Sequence, residues 1–72
     1  MHPQTERIYR HLERGKGITS MEAINLYGIT RLSAKIFDLK KAGYDIVDEW
    51  EESLNRYGDK VRYKRYFLRE VA

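Results

Sequence analysis

Arg31, Lys35 and Lys41, with Ser33, Ala34 and Asp38 among them, form the most chemically specific cluster in this 72-residue chain. That chemistry is recognition rather than bond-making. Arg31 and Lys35 have donors for the O6 and N7 acceptors of a guanine edge, and a small apolar side chain such as Ala34 can meet a thymine methyl. The stretch that carries them, TRLSAKIFDLKKAG over 30–43, reads as one amphipathic helix. Leu32, Ile36 and Leu39 recur at spacings of four and three, which puts them on one face. Thr30 is expected as the N-cap, its hydroxyl accepting from an orphan N–H of the first turn. Lys40 and Lys41 suit the C-terminal end of the helix dipole, and Gly43 can take the left-handed conformation that closes the helix. Thr30, Ala34, Phe37, Asp38 and Lys41 lie roughly opposite the apolar stripe, with Arg31, Ser33, Lys35 and Lys40 on the flanks. One face can fill a core while the other presents small, polar and basic groups, as a helix in a DNA major groove requires. The plainer alternative is a surface helix with a solvated basic face.

Length and composition limit what can position this helix. One domain over 1–72 is expected, and a chain this short buries only about 60% of its unfolded surface. There is no cysteine, so disulfides and thiolate metal sites are excluded and a reducing, cytoplasmic setting is expected. No apolar run approaches the roughly 20 residues of a membrane span, and MHPQTERIYR lacks a signal-peptide core. The formal net charge is +3, but it is unevenly distributed. Bases dominate 31–42, acids dominate 44–52 (Asp45, Asp48, Glu49, Glu51, Glu52), and bases dominate again over 53–69. Basic patches attract polyanions. The acidic block is expected as a solvated strand edge that discourages edge pairing, facing away from DNA or towards a partner.

Taken in order, residues 1–4 read as a frayed lead. Thr5 is the expected cap of a first helix to about Arg14, with Ile8, Tyr9 and Leu12 as its stripe. Gly15-Lys16-Gly17 is a turn, and Ile18 a buried plug or a one-pair strand. Thr19-Ser-Met-Glu22 is a capping box opening a short helix, Ser20 to about Tyr27, with Ala23, Leu26 and Tyr27 on one side. Gly28 ends it and Ile29 leads into the Thr30 helix: helix, glycine turn, helix. After Gly43, Tyr44–Glu52 is β-prone. A polar loop over 53–60 follows, and then the strand VRYKRYFL over 61–68. One register sends Tyr66 and Leu68 inward, the other Tyr63 and Phe67; a one-residue slip exchanges the faces. The reading favours Tyr66 and Leu68, with Ile46.

The segments ITxxEAxxLYG and RLSAxIxDLxKxGY and the late strand RYKRYxL together resemble the small helix-turn-helix proteins encoded by bacteriophages and prophages. The likeness covers nearly the whole chain. It implies an α+β winged helix-turn-helix fold, three helices followed by a two-stranded hairpin wing, and DNA binding that follows from that fold. Phe37 departs from it, standing where a polar or histidine side chain is expected.

Other chemistry is set aside. The Gly15-Lys16-Gly17 turn lacks the Walker pattern of a phosphate loop. No nucleophile–base–orienter set exists, so no enzyme is expected. His2 and His11 have no further ligand at useful spacing, so no metal or cofactor is expected, and His11 reads as solvent-facing or half-buried. Two functional readings remain. In the first, the helix over 30–42 enters the major groove of double-stranded DNA. Arg31, Ser33, Ala34, Lys35 and Asp38 then lie near bases, with Thr30 at the helix start, while Ser20 and Lys41 touch phosphates. A basic wing over 53–65 puts Arg56 and Lys60 on the backbone or minor groove, with Arg62 and Lys64 behind them. The small footprint favours a homodimer or tandem binding on DNA. In the second reading the same fold is a protein-interaction module without DNA binding, taking a phage or host protein through the acidic block and exposed aromatics such as Trp50 and Tyr57.

Overall fold

The computed structural model describes residues 2–69. Five elements follow in order: α1 (Pro3–Glu13), α2 (Ser20–Tyr27), α3 (Leu32–Lys41), β1 (Ile46–Leu54) and β2 (Lys60–Leu68). Three helices precede an antiparallel hairpin, the architecture expected.

The start of α1 differs from the expectation. His2, not Thr5, is the cap: its Nδ1 accepts from the Gln4 N–H at 3.1 Å. Pro3 opens the helix, where its fixed φ fits and its missing N–H costs nothing. Residues 3 and 4 are therefore helical rather than a frayed lead, and Met1 lies outside the described residues. Thr5 is buried within the helix. His11 is buried too, correcting the half-exposed expectation. Its Nε2 donates to the Gly17 carbonyl at 3.1 Å, which leaves Nδ1 to accept from the Tyr27 hydroxyl at 2.7 Å. The ring thus joins α1, the glycine turn and the end of α2.

The capping box of α2 is complete. Thr19 Oγ1 accepts from the Glu22 N–H at 3.2 Å, and Glu22 Oε1 accepts from the Thr19 N–H at 3.0 Å. Gly28, at φ 66°, closes the helix in the left-handed region. Ala23 is buried as expected, but Leu26 is 59% exposed. A helix of only two turns has too narrow a buried face to reach it. Ile29 is buried, and its N–H bonds back to the Ala23 carbonyl at 3.1 Å. That return contact delays the next helix. Arg31 rather than Thr30 occupies the N-cap of α3, with no side-chain capping bond. The helix therefore covers 32–41 rather than 30–42. Its stripe of Leu32, Ile36 and Leu39 is buried as expected. These three side chains join Ile8, Leu12, Ile18, Ala23, Ile29 and Ile46 in one core.

The hairpin pairs Ile46 with Leu68 and runs in step to Leu54 with Lys60. It begins two residues later than Tyr44, and its loop is shorter than the expected 53–60 stretch. Asn55 organises that loop: its Oδ1 accepts from the N–H groups of Tyr57 and Asp59 at 2.9 and 3.0 Å. The register puts Ile46, Tyr66 and Leu68 on one face, packed against the core. Ile18 is both plug and one-pair strand. It is fully buried and bridges Tyr66, with backbone bonds of 3.0 and 2.9 Å. The next residue back must be glycine, because a Cβ on Gly17 would lie 2.6 Å from Phe67 and 2.7 Å from Arg65. Among the described residues no helix is long and apolar enough to cross a membrane.

Candidate nucleic-acid interface

With Leu32, Ile36 and Leu39 held in the core, the rest of α3 must face outward. Arg31, Ser33, Asp38, Lys40 and Lys41 are exposed, and Ala34 and Lys35 are half-buried. Thr30 is exposed just before the cap. Phe37 is 62% exposed, with Lys41 Nζ 6.0 Å from its ring centroid. It does not pack into the core. Asp38 lies to one side, in a hollow it shares with His2, Thr5 and Tyr44 at the start of α1.

None of Arg31, Lys35, Lys40 and Lys41 forms an ion pair among the described residues. Their charges are therefore free for a polyanion. The hairpin is different. The acidic block does lie on a solvated edge strand, with Asp48, Glu49 and Glu52 exposed, but antiparallel pairing also sets it beside the bases of β2. Arg62 reaches Glu52 at 3.8 Å, Lys64 reaches Asp48 at 3.5 Å, and Arg65 bonds Glu51. Just beyond the strands Arg69 holds Asp45 at 2.7 Å. Two blocks that oppose each other in the sequence largely neutralise each other in space. Arg56 in the loop and Lys60 at the start of β2 form no ion pair among the described residues, and both are exposed.

The twelve positions expected to meet DNA thus separate into groups. Arg31, Ser33, Ala34, Lys35 and Lys41 lie on α3 or at its cap, with Thr30 preceding them and Asp38 turned towards α1. Arg56 and Lys60 form a free basic tip. Arg62 and Lys64 lie lower on the hairpin, paired with carboxylates and placed 4.9 and 5.1 Å from the Trp50 ring. Ser20 is exposed at the start of α2 and lines a groove with Met21, Leu54 and Val61.

Sequence reasoning did not single out Arg65. Its Nη1 donates to Glu22 at 2.6 Å while its Nε donates to Glu51, so it ties α2 to the wing. The bond to Glu51 keeps the guanidinium firmly protonated, ahead of the opposing effect of burial and with Glu22 adding to it. Burial pushes the Glu22 carboxyl up, but the Thr19 N–H and Arg65 outweigh burial and hold it below its ordinary range. The only signal in the sequence was the capping-box glutamate, whose second partner lies 43 residues away. Among the described residues no group of three or more His, Cys, Asp or Glu side chains could hold a metal ion.

A family model described as a winged helix-turn-helix domain matches residues 3–71. No curated protein matches the chain, and no solved structure does.

Proposed function

The chain belongs to the winged helix-turn-helix domain family, a fold that points to DNA binding, and from that premise we propose that it is a non-enzymatic, sequence-preferring binder of double-stranded DNA. In this reading α3 enters the major groove. Arg31 and Lys35 donate to guanine edges, Ala34 meets a thymine methyl, Ser33 bonds a base or sugar, and Lys41 bonds phosphate. The free tip, Arg56 and Lys60, reaches phosphate or the minor groove beside it. Arg62 and Lys64 are secondary, since each must first share its charge with a carboxylate. One observation carries the reading. The cations of α3 and of the wing tip are unpaired among the described residues, while Asp48, Glu51 and Glu52 of the hairpin each lie beside a base of β2. The likeness of the ITxxEAxxLYG and RLSAxIxDLxKxGY segments supports a phage or mobile-element protein acting in regulation, replication or recombination, and the lack of cysteine fits a cytoplasmic setting. The small footprint supports binding as a dimer or in tandem.

The test is a titration of labelled mixed-sequence duplex at about 50 and about 200 mM salt. Affinity that falls by orders of magnitude between them agrees with the proposal. No binding at the lower salt defeats it.

A second reading, a protein-interaction module, has one specific observation behind it. A groove of about 710 Å³ between α2 and the hairpin is lined by Met21, Leu54, Val61 and Tyr63, and Met21 and Leu54 are each 64% exposed. A protein that shifts no DNA at low salt, and whose capture of a phage or host protein is lost in Met21→Asp, fits this reading instead.

A further inference from the structure

The chain has a single tryptophan, and the hairpin leaves it 59% exposed. Its ring is nevertheless held in place. The register sets Trp50 opposite Lys64, whose Nζ lies 5.1 Å from the ring centroid, and Arg62 Cζ lies 4.9 Å away. Each cation also has a carboxylate near it, Asp48 at 3.5 Å from Lys64 and Glu52 at 3.8 Å from Arg62. Alternation along the strands puts Lys60, Arg62 and Lys64 on the Trp50 face of the hairpin. The two cations steady the ring while much of its surface stays open to solvent.

We infer that Trp50 is a stacking site for an unpaired nucleobase, with Lys60, Arg62 and Lys64 following the phosphates of the single strand that carries it. An aromatic face accepts any base, because every base has a π-face, and binding of this kind combines stacking with a basic track. The three cations recur at two-residue steps, roughly 6.8 Å apart along an antiparallel strand. The Asp48 and Glu52 pairs are long and solvent-exposed, so they hold their cations weakly and can give way to phosphate. Charged side chains border the ring on its own strand and on the facing one. It therefore offers one isolated π-face rather than the apolar centre that a protein interface needs. The site shares Lys60, Arg62 and Lys64 with the duplex reading but adds Trp50 and uses neither Arg31 nor Lys35, so loss of base stacking on Trp50 and loss of duplex recognition by α3 are separately measurable.

Because Trp50 is the sole tryptophan, its fluorescence reports on this ring alone. The protein is titrated with oligodeoxyuridylate, with oligouridylate and with an abasic sugar-phosphate strand of equal length. Quenching by the base-bearing strands but not by the abasic one is expected, and since the first two differ only in the 2′-hydroxyl, the one with the lower Kd identifies the source as DNA or RNA. Trp50→Ala should weaken single-strand binding by about 5- to 150-fold and leave duplex binding unchanged, while Trp50→Tyr retains most of the affinity. The comparison of base-bearing with abasic strands needs no variant. Equal quenching by the abasic strand overturns the inference, as does an alanine variant that binds single strands like the parent. No quenching by either base-bearing strand also overturns it.

Discussion

Arg65 Nη1 donates to Glu22 Oε1 at 2.6 Å, the same oxygen that accepts the Thr19 N–H at 3.0 Å. One carboxylate oxygen thus closes the start of α2 and fastens it to β2. A capping box ordinarily serves its own helix; here it also sets where the wing lies relative to α2 and the core that carries α3.

Removing that guanidinium should loosen the wing. Arg65→Ala is expected to cost about 1 kcal/mol, because charge-assisted bonds are strong but these are partly solvent-screened. For a domain of this size that is a fall of roughly 4–8 °C in Tm. Arg65→Lys should recover only part of it, since one ammonium cannot reproduce the two-way fork. Thermal melts of the three proteins decide this, and an alanine variant that melts like the parent would refute it.

The Glu22 carboxyl is held below its ordinary value of 4.5, so the folded state binds its proton less readily than the unfolded chain. Its contribution is therefore fully present above that value and is lost as pH falls through the lower, folded value. Denaturant midpoints followed from neutral to acid should show a drop for the parent that is shallower in Glu22→Gln. Parallel curves would mean that other carboxyls dominate the acid limb.

Gly17 should not tolerate a side chain. A Cβ there meets Phe67 and the aliphatic stem of Arg65 at 2.6–2.7 Å, and the Arg65 stem is pinned by its two carboxylates. Gly17→Ala is expected to destabilise by about 1–3 kcal/mol, the usual cost of overpacking. Urea unfolding measures it, and an unchanged midpoint would show that β2 can shift away freely.

The basic groups of α3 and the wing tip should differ in kind. Arg31→Ala and Lys35→Ala are each expected to cost about 1–3 kcal/mol against the preferred site and to relax base preference. Arg56→Ala and Lys60→Ala should weaken all sequences alike and reduce the log–log salt slope by about 0.9 for each phosphate lost. Arg62→Ala should do less than either, because its charge is shared with Glu52. Binding to selected and scrambled duplexes across a salt series separates the cases. A wild-type preference in the Arg31 and Lys35 variants would remove α3 from the groove.

Much of the architecture was legible because its causes are local. The Thr19–Glu22 box, the Gly28 stop and the Leu32–Ile36–Leu39 stripe each lie within a few residues of chain. The inward set of Ile46, Tyr66 and Leu68 was readable as a preference, since these side chains suit a buried sheet face. Errors arose where a local signal met a distant contact. Thr30 has the hydroxyl of a cap, but Ile29 is drawn back to Ala23 and into the core, so helical geometry begins only at Leu32. Thr5 has the same hydroxyl, but His2 and Pro3 close the helix end first. His11 read as half-exposed because Gly17 and Tyr27, which bury it, come from later turns of the chain.

The kind and order of the elements, the core stripe of α3 and the excess of bases over acids follow from the chain's own pattern. Periodicity, caps and turns are short-range, and composition needs no fold. Which charges remain free is settled by the packing in space. An ion pair depends on angstroms in space, and antiparallel pairing brings Asp48 to Lys64 and Glu52 to Arg62 across the hairpin, while α3 meets no comparable acid strand. A one-residue slip in register would have moved those partners to opposite faces, along with Trp50 and the cations that steady it.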